Sequence, residues 1–298
     1  MNRKDVLKLQ KVLILGATGM LGSACMEIVS HDSKIDLIGT ARTASDQLLK
    51  FDAQVDSIAT LLEVNKPNWI INCIGIIKPH IDEKVSSSIK NAIEVNSEFP
   101  ILLANAAEKI GTKVIQIATD CVYSGVQGSY IESDLHDATD VYGKTKSLGE
   151  VPAPNVMHLR ASIIGPEVGR STSLLEWFRN QPDGAKLNGF TDHLWNGVTT
   201  HAFGKLSLGI IKNEGFRTGA HHVIPKDIVA KSELLRIFAR AYGREDLEIS
   251  DVVSAKRIDR TLSTNGKDLS DYLWSLAGYK SPPTVEEMVI EQAGLIKN

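Results

Sequence analysis

The chain has 298 residues, of which 43% are hydrophobic and 23% charged, and a net charge of -3 at pH 7. That length buries a full α/β core, that composition excludes a disordered chain, and so mild an acidity leaves no electrostatic footprint for nucleic acid or an anionic membrane. The start, Met1 to Lys11, is polar and runs straight into an apolar strand, so no signal peptide and no membrane span are expected and the cytoplasm is the expected compartment. Cys25, Cys73 and Cys121 are widely spaced and read as buried thiols in a reducing cell, and no Cys or His cluster has metal-ligand spacing.

Short apolar runs at 11–15, 35–41, 69–73, 114–118 and 156–160 fit buried strands, and the intervening stretches 20–30, 55–64, 92–110 and 142–150 have helical composition or spacing. Strands apolar on both faces, alternating with helices, predict an α/β fold with a Rossmann-type doubly wound parallel sheet. After Arg160 the rhythm breaks, with helices expected at 174–179, 201–211 and 226–242, the last from the spacing of Ile228, Val229, Leu234, Leu235, Ile237 and Phe238. The expected division is an NAD(P)-binding domain over 1–163, to which part of 200–225 returns, and a smaller substrate-binding lobe made mainly of 164–298.

Directly after the first strand, Gly16-Ala17-Thr18-Gly19-Met20-Leu21-Gly22 opens a helix. Glycines there let the backbone turn sharply and approach a pyrophosphate, with the helix N-terminus supplying amide donors. Some twenty residues further on, where an acidic residue would bind the ribose hydroxyls of NAD, stands Arg42, which suits the 2'-phosphate of NADP. Asp52 is placed for the adenine amino group or for a turn. Tyr142 and Lys146 are four apart at a helix start and so share a face, where a cation can stabilise the phenolate. Thr119 ends the fourth strand, either beside a reacting carbonyl or as the cap of a turn.

Together with Asn72-Cys73-Ile74-Gly75 and Asn96, this order of motifs resembles the extended short-chain dehydrogenase/reductase family over roughly residues 11–166. Within it, Thr119-Asp120-Cys121-Val122-Tyr123-Ser124-Gly125, Val141 to Lys146 and Gly149-Glu150 look most like the sugar-nucleotide reductases of the dTDP-4-dehydrorhamnose reductase type. The resemblance implies Tyr142 as general acid, Lys146 on the nicotinamide ribose and lowering the Tyr142 pKa, Thr119 at the substrate carbonyl, Asp120 among the substrate residues, and Asn96 positioning a water. It also implies Gly16, Thr18, Gly19, Met20 and Leu21 around the pyrophosphate, Cys73, Ile74 and Gly75 along the adenosine and ribose, and Asn72 as a brace of the sheet.

Trp195 and Asn196, in a polar stretch, offer a surface for a base or sugar ring, or else Trp195 packs into the lobe interface. Arg260 resembles an arginine near the nucleotide diphosphate in relatives. Three departures fall around the sugar: Cys121 replaces a tyrosine, Ile163 stands where a tryptophan is expected, and Ile77-Lys78-Pro79-His80 replaces a Thr-x-Val-Asp stretch. The expected function is NADPH-dependent reduction of a 4-keto nucleotide-activated deoxysugar, with NAD the less favoured cofactor. Two alternatives use the same scaffold: an NAD-dependent sugar-nucleotide epimerase or dehydratase, and a non-enzymatic NADP-binding regulatory subunit like that of methionine adenosyltransferase. The sequence does not fix an oligomeric state; a homodimer is compatible with it.

Overall fold

The computed structural model describes residues 9–167 and 172–296. Its first half runs β1 (Gln10–Leu15), α1 (Met20–Ser30), β2 (Ile35–Ala41), β3 (Leu48–Lys50), α2 (Ile58–Asn65), β4 (Trp69–Asn72), α3 (Ser86–Ile93), α4 (Phe99–Lys109), β5 (Lys113–Ala118), α5 (Val141–Leu148) and β6 (Val156–Arg160). The second half adds β7 (Ile163–Ile164), α6 (Leu174–Arg179), β8 (Lys186–Phe190), β9 (His193–Trp195), β10 (Val198–Thr199) and α7 (Thr200–Lys212). It ends with β11 (Gly219–His222), β12 (Val229–Ala230), α8 (Lys231–Tyr242), β13 (Glu248–Val252), β14 (Ile258–Asp259), α9 (Lys267–Leu276) and α10 (Val285–Ile296).

Seven parallel strands form the central sheet in the order β11-β6-β5-β4-β1-β2-β3. The alternation of side chains along each strand divides the core in two. Val12 and Ile14 of β1 pack with Leu21, Cys25 and Val29 of α1 and with Phe203 and Leu206 of α7. Leu13 and Leu15 point the other way, onto Leu62 of α2 and onto Phe99 and Leu103 of α4. Burial on both faces is why the strand reads as an unbroken apolar run, and each such side chain contributes about 1.5–3 kcal/mol. Between β1 and β4 the order of strand addition reverses, so their carboxyl ends part and leave a crevice.

A second core gathers Leu175 and Phe178 of α6, Leu187 of β8, Trp195 of β9, and Leu234, Leu235 and Phe238 of α8. Helix α10 joins the two cores, with Met288 in the sheet core and Val285 and Val289 in the lobe core. Strand β11 carries residues 219–222 back to the sheet edge beside β6.

Several expected elements are corrected. The expected helix 226–242 begins only at Lys231, because Val229–Ala230 pairs with β9 as a strand. The expected helix 55–64 begins at Ile58, where the Ser57 side chain caps it. The expected helix 92–110 is broken by a π-helical turn at Glu94–Glu98. Pro100, four residues after Asn96, has no N–H to give the Asn96 carbonyl, and the ladder there slips to the wider spacing, with the Phe99 amide bonded to the Glu94 carbonyl. All three cysteines are free, but only Cys25 is buried; Cys73 and Cys121 are half-buried.

Candidate active site

The glycine turn forms as its spacing requires. Gly16 has φ +79°, and a Cβ there would stand 3.0 Å from the Ile74 side chain; a Cβ on Gly22 would lie 2.0 Å from the Gly16 carbonyl oxygen. The Gly16 amide is held by the Thr40 hydroxyl at 3.3 Å and the Ala17 amide by the Thr40 carbonyl at 2.8 Å, which fixes the turn to β2. Gly19 caps α1 without a side-chain acceptor, and the first turn of the helix, which contains no acidic residue, borders a groove.

That groove encloses about 550 Å³. Gly16, Thr18, Gly19 and Met20 form one wall, Cys73, Ile74 and Gly75 the opposite one, and Arg42 and Asp52 the far end. A cradle that turns sharply at Gly16, where a Cβ has no room, and lies at the N-terminus of α1 fits an extended phosphate-bearing ligand such as a dinucleotide. Arg42 is exposed and makes no ion pair among the described residues. Asp52 also shapes its own turn, accepting from the Gln54 amide at 3.0 Å. Asn72 donates to Gln116 Oε1 at 2.7 Å and accepts from the Ile74 amide at 3.1 Å, bracing β4 against β5.

Gly19, Met20, Cys73 and Ile74 also border a second cavity of about 400 Å³, so the two spaces adjoin. Leu21, whose side chain packs in the sheet core, belongs to this second space. Here Thr119, Asp120, Tyr142, Lys146 and Trp195 come together. The Asp140 carboxylate caps α5, accepting from the Gly143 amide at 2.9 Å, and is itself tied to Lys78 at 2.9 Å. A Cβ on Gly143 would lie 2.4 Å from the Cys121 carbonyl oxygen, so glycine at this position lets α5 press onto the turn after β5 and bring Tyr142 to Thr119. Thr119 also caps that turn, accepting from the Cys121 amide at 3.2 Å, and donates to Asp120 Oδ1 at 3.2 Å.

Burial dominates the electrostatics. It raises the Tyr142 phenol above its ordinary value, Cys121 and Asp120 adding to the rise and a hydrogen bond with Thr119 opposing it. Lys146 donates to the Ile117 carbonyl at 3.1 Å, and burial brings its amine down to about 8 against the pull of Glu150. Asp120 is pushed up by burial, with the charge of Arg260, the Thr119 hydroxyl and Lys231 holding it down. Cys121 is driven up to about 12, chiefly by burial and then by Asp120.

Three expected site residues stand apart from this cavity. The Asn96 side chain accepts from the Ile76 amide and donates to the Ile76 carbonyl, both at 2.9 Å, and reaches the Thr145 hydroxyl at 3.3 Å, joining the loop after β4 to α5. Asn196 is spent on the Leu262 backbone, donating to its carbonyl at 2.7 Å and accepting from its amide at 2.9 Å. Arg260 binds the Tyr123 carbonyl through Nε at 2.9 Å.

Trp195 serves both readings left open for it: it is buried in the lobe core, with its indole N–H on the Ser162 hydroxyl at 2.8 Å, and it lines the cavity. Of the departing positions, Ile163, Ile77 and His80 also line it. Lys231, first residue of α8, points into the same space and was not singled out from the sequence. Its amine is brought down to about 8 by burial, Asp120 and Cys121 opposing. Among the described residues no cluster of His, Cys, Asp or Glu has the arrangement of a metal site, and no helix is long and apolar enough to cross a membrane.

Comparison with known proteins follows this geometry. Residues 10–164 match the family described as the RmlD substrate binding domain. A dTDP-4-dehydrorhamnose reductase of Aggregatibacter actinomycetemcomitans is 24% identical over 254 residues, 82% of this chain and 84% of that protein. Methionine adenosyltransferase 2 subunit beta of Rattus norvegicus is 31% identical over 145 residues, which are 47% of this chain and 42% of that protein, so this match spans less than half of either. The structure of dTDP-4-dehydrorhamnose reductase from Bacillus anthracis in complex with NADP superposes with a TM-score of 0.76 at 17% identity, covering 97% of this chain and all of that one. MoeE5 in complex with UDP-glucose and NAD superposes with a TM-score of 0.72 at 17% identity, covering 96% of this chain and 98% of that one. At such identities the superpositions speak for the fold, and the family match spans more than half of the residues: the chain belongs to the RmlD substrate binding domain family, on a Rossmann-type fold.

Proposed function

We propose that this protein is an NADPH-dependent reductase of a 4-keto nucleotide-activated deoxysugar. The observation that carries the reading is that the glycine-lined groove adjoins the cavity lined by Thr119, Tyr142, Lys146 and Trp195. A reduced nicotinamide dinucleotide bound along this groove supplies the hydride.

The remaining work falls to the chain. The α1 amides and the turn from Gly16 to Leu21 hold the pyrophosphate, Arg42 the 2'-phosphate, Asp52 the adenine, and Cys73, Ile74 and Gly75 the adenosine side. Lys146 donates to the nicotinamide ribose. Tyr142 and Thr119 both donate to the ketone oxygen, and Tyr142 releases its proton there as charge develops; the loss of that proton is eased by the Lys146 ammonium. The burial that raises the Tyr142 phenol keeps it protonated until that moment. Trp195 offers a ring face to the sugar. Asn96 acts as a positioning residue through Ile76 and Thr145. Arg260, whose charge is felt by Asp120 and Asp140, is the arginine assigned to the substrate diphosphate on the resemblance to relatives. The cofactor preference rests on Arg42 and on the NADP complex of the Bacillus anthracis relative. The expected setting is the cytoplasm.

The test is incubation with NADPH and 4-keto intermediates prepared from dTDP-, UDP- and GDP-sugars, following loss of the reduced nicotinamide band and identifying the product by NMR. Reduction of one of them is expected. Tight NADP binding with no reduction of any would instead favour the regulatory reading, which the partial match to methionine adenosyltransferase 2 subunit beta supports.

A further inference from the structure

Lys231 belongs to the second lobe, yet it faces the ends of β5 and α5 across the cavity. Its Nζ lies 5.3 Å from the Trp195 ring centroid. It makes no hydrogen bond or ion pair among the described residues. Asp120, on the opposite wall, feels its charge, but the two stop short of a salt bridge. The half-enclosed ammonium has no hydrogen-bond partner among the described residues, and the Asp120 carboxylate, which accepts from Thr119, still has lone pairs to offer in the same cavity.

A hydroxyl placed between them satisfies both, since it donates to the carboxylate and accepts from the ammonium. The ammonium stands over the Trp195 ring, which is 5% exposed and borders the same cavity, so the indole fixes the lysine in place and closes the cavity beside it. A hydroxyl-bearing group held between opposite charges in such a cavity fits a sugar.

We propose that Lys231 is a specificity-determining residue for the sugar, donating a hydrogen bond to a ring hydroxyl that Asp120 holds from the other wall. The proposal rests on the nucleotide-sugar reading above. It gives the second lobe a polar contact of its own with the sugar, at a position where α8 meets the catalytic cavity.

The test is calorimetric titration of the full chain, saturated with NADP, with dTDP-, UDP- and GDP-glucose and with each bare nucleoside diphosphate, for native protein, Lys231→Met and Lys231→Arg. Methionine keeps an apolar stem on Trp195 and removes the charge. Native protein is expected to bind one sugar nucleotide more tightly than its diphosphate. Lys231→Met should weaken that sugar nucleotide about ten- to a hundredfold while leaving the diphosphate and NADP affinities unchanged, with Lys231→Arg recovering part of the loss. Equal weakening of sugar nucleotide and diphosphate would assign the ammonium to the phosphates and overturn the proposal. So would no change in either, or a native protein that does not distinguish the two. Failure of the reductase reading looks different: no 4-keto sugar is turned over, while the sugar-dependent increment and its reliance on Lys231 persist.

Discussion

The Lys146 ammonium donates to the carbonyl of Ile117, 3.1 Å away at the end of β5, one helical turn beyond Tyr142. This bond ties α5 to the sheet while burial draws the amine down to about 8. A lowered amine pKa means that the charge persists below that value and is lost above it. In the proposed function the charged form holds the cofactor, so kcat/KM for NADPH should be level in mild acid and fall about tenfold per pH unit above about pH 8. Lys146→Arg, charged throughout, should move that limb upward. A native profile still level near pH 10 would contradict the assignment.

Tyr142→Phe keeps the ring on the turn after β5 and removes only the transferable proton. Turnover should drop by about a hundred- to ten-thousandfold, with NADPH affinity within a few-fold of native by fluorescence titration. Near-native turnover would mean that another group delivers the proton, and Thr119, which bonds the same phenol, would be the first to replace.

Strands β1, β2, β4, β5 and β6 were legible because burial on both faces leaves continuous apolar runs, and the groove was legible because its glycines follow from backbone geometry alone. β11 was legible only as a return of part of 200–225 to the first domain, because its sequence GAHH carries no apolar run. Its buried His222 packs through a 2.6 Å contact with Arg160, and a pattern of apolar residues cannot reveal such a network. Lys231 was hidden for a related reason. A lysine opening an amphipathic helix reads as solvated, and only the approach of α8 to the end of β5 turns it inward. Asn196 erred the other way: its residue type suits a ligand, but its amide closes on the Leu262 backbone, a contact between positions 66 apart that spacing does not announce.

Asn96→Ala separates positioning from chemistry. The substitution leaves the Ile76 amide and carbonyl without their partner and frees Thr145. The folded state should lose on the order of 2–4 kcal/mol in urea unfolding. NADPH binding and turnover should both suffer, unlike the selective loss in Tyr142→Phe, because the loop from Ile74 to Ile76 and the face of α5 move together. Native stability in Asn96→Ala would show that these hydrogen bonds are replaced by water.

Glu150 and Arg160 form a two-pronged ion pair, Arg160 Nε to Oε1 at 3.1 Å and Nη2 to Oε2 at 2.5 Å, and Arg160 also reaches Tyr123 at 2.8 Å and His136 at 3.0 Å. Arg160 is 1% exposed. Removing one partner strands a buried charge, so Glu150→Ala should cost about 3–5 kcal/mol, far more than loss of the surface pair Lys186 with Glu248, worth about 1 kcal/mol or less. Thermal unfolding of the two variants side by side checks the ranking; equal losses would refute it.

The proposed preference for NADPH turns on one position. Arg42 follows β2 directly, lines the groove at the same end as Asp52, and is exposed, with no ion pair among the described residues to compete for its guanidinium. A 2'-phosphate offers it a bidentate partner, whereas a 2'-hydroxyl offers none. Arg42→Ala should therefore raise KM for NADPH by about tenfold or more and leave KM for NADH nearly unchanged, since a hydrogen-bonded charge in a partly solvated site is worth about 1.5–3 kcal/mol. Raising the salt concentration should reproduce part of the loss for NADPH in native protein and little of it in the variant, because only the native pair is open to screening. Native protein that uses NADH and NADPH equally, with no response to Arg42→Ala, would assign the arginine to the surface and reopen the NAD-dependent epimerase reading.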